Sequence, residues 1–415
     1  MHFGIVSPPV SGHIHPFGAL GRELIARGHR VSFLHMPDLA DRVRLEGLEF
    51  VTIGESDHPL GSLPQSLNRL AQLQGLGALR FTIGAIKKTT EMICRDAPEA
   101  IRRAGIEALL VDQTEPAGAT VADYLHLPFI TVCNALVLSS DSQVPPPFTG
   151  WSYSSGLWSR ARNMVGYGVS RLIMRPVEQV VQSYRARWNL PKYTTAEESF
   201  SELAQISQQP QAFDFPRRSL PPYFHYVGPL RDQHRRVQFP WEKLDGRPLI
   251  YASLGTLQNQ KEHVFRCFAE ACHGLRVQLV MSHGGGLSET VAASFPGHPL
   301  VVSYAPQLEV LAKASLTLTH AGLNTVLDSL LCGVPLVAIP ITYEQPAIAS
   351  RIRWTGVGEV LSLKGLNVRH LREIIERVLR NQSYAFQARR IQQVATQAGG
   401  VTAAVNIIEQ SLSVS

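Results

Sequence analysis

The sequence is short of the features that mark several protein classes. It has only five cysteines in 415 residues, Cys94, Cys133, Cys267, Cys272 and Cys332. Their odd number and scattered spacing exclude a disulfide framework and the close pairs of a zinc site, so they are expected to be buried, reduced thiols. No apolar run approaches the roughly 18 residues of a membrane-spanning helix. The opening Met1-His2-Phe3-Gly4-Ile5-Val6 lacks the basic start and long apolar stretch of a secretory leader, so a cytoplasmic protein is expected. Internal tracts of Gly, Ser or Pro and repeats of 20–50 residues are also missing, which argues against long linkers and solenoids. Charge is scarce, at 17% of residues against 45% hydrophobic, the balance of a packed globular chain.

What is present points to two lobes. Domains usually hold roughly 100–200 residues, so this length makes two the natural count. The first lobe opens with an apolar strand at 3–7, a loop through Ser11-Gly12-His13-Ile14-His15, a helix over 16–27 stopped by Gly28, and a strand at 30–35. A strand at 108–111, a helix at 115–125 and a strand at 129–132 continue the alternation. The pattern restarts after Pro248 with strands at 249–253, 278–281, 300–303, 316–319 and 336–339, and a helix at 263–272. Strand-helix alternation with apolar strands predicts an α/β fold of two doubly wound parallel sheets covered on both faces. The expected division is an N-terminal domain over 1–228, a charged linker over 229–247, a C-terminal domain over 248–395, and a last helix over 396–415 crossing back onto the first domain. The net charge of +6 is spread along the chain and no nucleic-acid module accompanies it, so small anions or acidic lipid headgroups are the expected partners rather than nucleic acid.

One segment stands apart. Residues 148–176 interleave Phe148, Trp151, Tyr153, Trp158 and Tyr167 with Arg160, Arg162, Arg171 and Arg175. An ordinary capping insertion, an apolar ligand wall and a membrane-surface patch all fit this pattern.

In open α/β sheets ligands sit beyond the carboxyl ends of the strands. After the strand at 316–319, His320-Ala321-Gly322-Leu323-Asn324-Thr325 runs straight into an apolar helix. Gly322 permits close approach to the backbone, the helix start offers unpaired N–H groups, and Asn324, Thr325 and His320 add donors, a combination suited to a diphosphate. The helix dipole adds about 0.3–1 kcal/mol for an anion at an exposed end. A plain capped turn is the bland alternative. Upstream, Tyr304-Ala305-Pro306-Gln307 supplies an aromatic plate and an amide for a base. Downstream, Asp328 lies one helical turn after Asn324, in range of a ribose, and Glu344-Gln345 suits sugar hydroxyls. Ser253-Leu254-Gly255-Thr256 ends the first strand of the second lobe. Absence of an Asp-x-Asp triplet agrees with a helix terminus, not a metal, facing the diphosphate, so no metal and no cofactor are expected. His283-Gly284-Gly285-Gly286 lacks an accompanying nucleophile elbow and is expected to be a flexible loop. In the first lobe, imidazole is the side chain best matched to taking a proton near neutral pH, which singles out His13 and, less directly, His15. Asp112 or Glu115, just after the strand at 108–111, could orient it; Asp112 could equally cap the next helix.

The stretch from Tyr304 to Gln345 resembles the donor signature of family 1 nucleotide-sugar glycosyltransferases, and the likeness extends over nearly the whole chain. It implies the GT-B architecture of two Rossmann-like domains facing across a cleft. By that resemblance Tyr304 stacks on uracil with Ala305 and Gln307 beside it. His320, Gly322, Leu323, Asn324 and Thr325, with Gly12, Ser253, Gly255 and Thr256, surround the diphosphate. Asp328 holds the ribose, and Glu344 with Gln345 the hexose. His13 resembles the family's catalytic base and Asp112 its partner. The sequence departs from the usual pattern with Asp328 for Glu, Glu344 for Asp and Leu323 for Trp. Within the family the runs 111–118, 213–218, 225–228 and 252–258 resemble bacterial carotenoid (zeaxanthin) glucosyltransferases. The implied reaction is inverting transfer of glucose from UDP-glucose, a co-substrate, to an apolar hydroxylated acceptor such as a carotenoid, by a monomer with peripheral membrane contact left open. Transfer to flavonoid, polyphenol or macrolide acceptors, nucleotide-sugar epimerisation or hydrolysis, and non-catalytic binding are the alternatives.

Overall fold

The computed structural model describes residues 1–73, 75–232, 237–256 and 259–413. Residues 233–236 of the expected linker, Leu257 and Gln258 of the run ending at 258, and the last two residues lie outside that set. Two parallel sheets form the molecule. The first contains β1 (His2–Val6), β2 (Arg30–His35), β3 (Glu49–Thr52), β4 (Ala108–Asp112), β5 (Phe129–Cys133), β6 (Gln205–Ser207) and β7 (Phe224–Tyr226), in the order β3-β2-β1-β4-β5-β6-β7. The second contains β8 (Leu249–Ser253), β9 (Gln278–Ser282), β10 (Leu300–Val302), β11 (Ala314–Thr319), β12 (Leu336–Ala338) and β13 (Gly358–Val360), in the order β10-β9-β8-β11-β12-β13. Every residue of β1, β4 and β8 is buried, which is why these strands appear in the sequence as unbroken apolar runs. Strand order reverses at β1/β4 in one sheet and at β8/β11 in the other, opening a crevice at each.

The first helix spans Ser11–Ala26, so the expected loop through His13 is its opening turn and Pro16 lies inside it. Proline has no N–H, so the carbonyl of Gly12, four residues earlier, loses its helical donor there. Two long helices, Gly75–Ala104 and Leu157–Arg187, are not among the elements expected from the sequence. The last helix, Gly400–Ser413, places Val401, Ala404, Val405 and Ile408 in the core of the first sheet. All five cysteines are unpaired.

The lobes meet through an apolar cluster in which Leu136 and Phe213 of the first join Leu323, Val326, Leu327 and Leu330 of the second. Beside it is a buried ion cluster. Asp214 accepts from Arg351 at 3.0 and 2.8 Å, from Arg217 at 2.7 Å and from Tyr226 at 2.9 Å. Arg351, itself 0% exposed, lies over the Phe215 ring at 4.3 Å. Burial opposes ionisation of Asp214, but Arg217 and Arg351 outweigh it and hold the carboxyl well below its usual range. Removing one partner of such a cluster strands the remaining charges in a low-dielectric interior. Asp214→Ala is therefore expected to lower the unfolding free energy by about 3–5 kcal/mol in urea denaturation. Replacing the exposed Asp41 by Ala should change it by no more than about 0.5 kcal/mol.

Candidate active site

Both crevices carry the residues expected of them, and they face each other. In the first, β1 leads into the helix bearing His13, and Asp112 is the last residue of β4. His13 Nδ1 is 2.7 Å from Asp112 Oδ2, with the His13 side chain 18% exposed and Asp112 fully buried. Asp112 also accepts from Thr114 N and Oγ1 at 2.9 and 2.6 Å, from Asn134 Nδ2 at 2.9 Å and from Ser7 Oγ at 3.4 Å. Burial alone would raise the carboxyl, but His13 and Thr114 reverse this and keep it below its ordinary value. Burial likewise opposes protonation of His13, yet the charge and hydrogen bond of Asp112, with Glu344 and Glu115 behind, leave its pKa raised. An Nδ1–H donated to an ionised Asp112 makes Nε2 the basic nitrogen.

Glu115, the alternative orienting group, does not touch the imidazole. It precedes the helix Pro116–Leu125, is 5% exposed, and its Oε1 has no hydrogen-bond partner among the described residues. Burial first, then Asp112, push it up to about 8, so it stays protonated at neutral pH. The capping role considered for Asp112 is also not realised, since its Thr114 bonds close the turn ahead of that helix. His15 turns aside to Glu46 at 2.7 Å.

In the second crevice the strand-to-helix junction is tight. Ala321 takes a left-handed φ of 63°, a strained state for a residue with a Cβ. Gly322 precedes the helix Leu323–Leu331 with no side chain capping it, leaving the first N–H groups available. A Cβ on Gly322 would stand 2.5 Å from His320 Cε1, and one on Gly255, whose φ is 67°, would stand 2.9 Å from the same atom. The imidazole is thus clamped between two positions that only glycine fits. Burial pushes His320 down to about 4, so it is neutral at physiological pH, and its Nδ1 has no partner among the described residues. Ser253 Oγ accepts from Gly255 N at 3.2 Å, Thr256 is exposed, and Thr325 is buried in the first helical turn. Tyr304 is 57% exposed beside Ala305, and its hydroxyl donates to Gly284 O at 3.2 Å. The Gly-rich run is pinned rather than free, because Asn259 Nδ2 donates to the same carbonyl at 2.7 Å.

Several expected ligand contacts meet side chains that are already paired. Gln307 accepts from Tyr251 Oη at 3.0 Å and donates to Asp328 Oδ2 at 2.6 Å, leaving one N–H and one oxygen lone pair for a base. Asp328, 5% exposed, has its other oxygen on Arg231 Nε at 2.7 Å, so each of its oxygens enters any ribose contact with one bond already made. Asn324 Oδ1 accepts from Arg231 Nη2 at 2.8 Å and Gln208 Nε2 at 3.1 Å, and its Nδ2 donates to Gly12 O at 2.8 Å. That leaves its backbone N–H and one side-chain N–H for an anion. Gln345 Oε1 accepts from Ile341 N and Thr342 N at 2.8 and 2.9 Å, so only its NH2 is uncommitted. Glu344 Oε2 accepts from Leu136 N of the other lobe at 3.0 Å, and burial raises its pKa. Buried amides and carboxylates must be paired, and here they pair with one another.

Two of these bonds carry information that sequence reasoning missed. Arg231 places a guanidinium among Asp328, Asn324 and Gln208, a cation at the start of the donor-site helix; in the sequence it is one charge in a charged linker. The Gly12 carbonyl freed by Pro16 is the one that Asn324 reaches, so the helix bearing His13 is hydrogen-bonded directly to the opposite helix start.

Comparison with known proteins agrees with this geometry. The family described as UDP-glucoronosyl and UDP-glucosyl transferase matches residues 72–397, and the glycosyltransferase family 28 N-terminal domain matches residues 11–107. The chain is 35% identical to the zeaxanthin glucosyltransferase of Pantoea ananas, over 99% of this chain and 95% of that one. It is also 35% identical to that of Pseudescherichia vulneris, over 99% and 98%. Among solved structures, a calicheamicin glycosyltransferase superposes with a TM-score of 0.78 at 23% identity, covering 99% of this chain and 98% of that one. A glycosyltransferase in complex with dTDP superposes with a TM-score of 0.71 at 17% identity, covering 99% of each. Two facing doubly wound domains are the GT-B fold, and the chain belongs to the UDP-glucoronosyl and UDP-glucosyl transferase family of glycosyltransferases.

Proposed function

We propose that the chain transfers glucose from UDP-glucose, with inversion, to a hydroxyl of an apolar acceptor, zeaxanthin or a related carotenoid, with His13 as general base and without a metal or other cofactor. The observation that carries this reading is the 2.7 Å His13–Asp112 pair, set on a helix that is itself bonded at 2.8 Å to the N-terminal turn of the facing helix. A nucleotide-sugar donor and an acceptor are what the family implies. Glucose and a carotenoid are suggested by the two relatives at 35% identity.

The diphosphate lies against the N–H groups of the helix from Leu323, with His320, Gly255, Ser253 and Thr256 around it and Tyr304 beneath the base. Arg231, ion-paired to Asp328, orients Asn324 at the start of that helix. The glucose points toward Glu344 and Gln345, below His13. The acceptor hydroxyl gives its proton to His13 Nε2 as its oxygen bonds to C1. The C1–O bond to phosphate breaks, and its electron pair leaves with UDP, where the N–H groups of the helix terminus stabilise the charge. Base and leaving group stand on opposite lobes, so attack is from the face opposite the departing phosphate and the anomeric centre inverts. Asp112 stabilises the imidazolium and keeps Nε2 facing the acceptor.

The defining experiment is a donor-by-acceptor panel read by mass spectrometry, with and without EDTA. UDP-glucose and zeaxanthin should give the glucoside at the same rate in both; an adduct only with another donor, release of glucose without any acceptor, or a loss of rate in EDTA would each overturn part of the assignment. His13→Ala should cut kcat by about 10²–10⁴-fold while the folded protein still binds UDP in calorimetry. Because His13 must be neutral to act and its pKa is raised, kcat/KM should climb with pH through a limb above the ordinary histidine value of 6.5. In Asp112→Asn the carboxylate that raises it is gone, so the limb should move to lower pH even as the maximal rate falls. Arg231→Ala should raise the donor KM about 10- to 100-fold in initial-rate kinetics, the scale of lost hydrogen bonds to a charged group, with a much smaller effect on the acceptor KM.

A further inference from the structure

We propose that the N-terminal half of the helix Leu157–Arg187 is a docking face for the surface of an anionic lipid bilayer. Leu157, Trp158, Met164, Val165, Val169 and Leu172 are 81, 90, 56, 67, 50 and 67% exposed. Trp158, Val165, Val169 and Leu172 are spaced at 7, 4 and 3 residues, which places them in one stripe along the helix. A stripe of this size outward on a folded domain marks an interaction surface rather than scattered exposure.

The outward orientation is set by the opposite side of the helix. Asn163 donates to Ser142 O at 3.0 Å and Tyr167 to Val144 O at 3.2 Å. Gly166 lies so close under Trp151 that a Cβ would be 2.9 Å from its ring. The helix therefore cannot roll to bury the stripe without breaking these contacts.

Charge selects the occupant. Between Asp141 and Glu178 the chain contains no acidic residue, while Arg160, Arg162, Arg171 and Arg175 fall in the same stretch. Arg162 is stacked 4.7 Å over the Trp151 ring, and Arg171 and Arg175 are exposed beside the apolar stripe. An apolar stripe with a tryptophan and flanking arginines matches the boundary between acyl chains and anionic headgroups. A second copy of the chain fits less well, since the same face would set arginines against arginines, with Glu197 beside Arg171 and Glu178 beyond Arg175 as the acids at its edge. Among the described residues no helix is long and apolar enough to cross a membrane, so the helix lies on the surface. The inference rests on this surface alone and does not depend on the identity of donor or acceptor.

The test is co-sedimentation of the full chain with phosphatidylcholine vesicles, with and without phosphatidylglycerol, alongside sedimentation velocity of the protein alone. Wild type should partition onto the anionic vesicles about tenfold better than onto neutral ones, and the preference should fade at about 1 M salt, where the screening length is about 3 Å. The double variants Trp158→Glu/Leu172→Glu and Arg171→Glu/Arg175→Glu should each lose about tenfold or more of that binding while keeping the wild-type circular dichroism spectrum and transfer to a water-soluble acceptor. Wild type staying in the supernatant with both vesicle types, or variants that bind as wild type does, would overturn the proposal. So would a concentration-dependent dimer abolished by Trp158→Glu/Leu172→Glu, which would assign the face to a second copy.

Discussion

The buried contact between Asp214 and Arg351 is the constraint on which the geometry of the cleft depends. Asp214 lies between β6 and β7 of the first sheet, and Arg351 lies on the helix Gln345–Thr355 of the second lobe. Glu344 immediately precedes that helix. Holding Arg351 therefore holds the helix, and the helix sets Glu344 against Leu136 N and within electrostatic reach of His13. The same helix is tied by Ser350 Oγ, which donates to Trp151 O at 2.9 Å. Breaking this cluster would leave buried charges unpaired, so it fixes the register of the two lobes in this arrangement.

Within the cleft, burial separates carboxyls that would otherwise behave alike. Asp112, Glu115 and Glu344 all influence His13. Asp112 is held ionised by His13 and Thr114, whereas burial keeps the proton on Glu115 and raises Glu344. The carboxylate in contact with the imidazole is thus the one held ionised, where it favours a protonated intermediate state of the base. A neutral Glu115 avoids a second like charge beside Asp112 in a medium of low dielectric. The opposite face uses the reverse arrangement: a neutral His320 and open helix N–H groups make a cradle for negative charge, with the Arg231–Asp328 ion pair behind it.

The two halves of the site are also linked by a backbone detail. Pro16 removes a hydrogen bond from its own helix, and Asn324 of the other lobe supplies the missing donor to Gly12 O. A residue that would ordinarily be counted as a helix defect thus determines where the base-bearing helix touches the donor-site helix. Asn324 is in turn oriented by Arg231 and Gln208, so base, helix terminus and linker cation belong to one hydrogen-bonded chain.

The sequence by itself determined the two doubly wound lobes, because strands buried on both faces must be apolar along their whole length, and it singled out His13, Asp112 and the His320–Thr325 junction, because their chemistry follows from local position at strand ends. It missed the short strands β3, β6, β7 and β13 at or near the sheet edges, whose three or four residues are too few to show a period. It left the helix Leu157–Arg187 unresolved as well, since apolar residues on its exposed side blur the alternation of an ordinary surface helix. Only the tertiary structure decided that Gln307 faces Asp328, that Asp328 and Asn324 face Arg231, and that Asp112 rather than Glu115 meets His13. The reason is physical: a side chain's type sets which bonds it can make, but a buried polar group bonds whatever the fold brings within 3 Å, and Arg231 and Asp328, 97 residues apart, become neighbours only when the lobes close on each other.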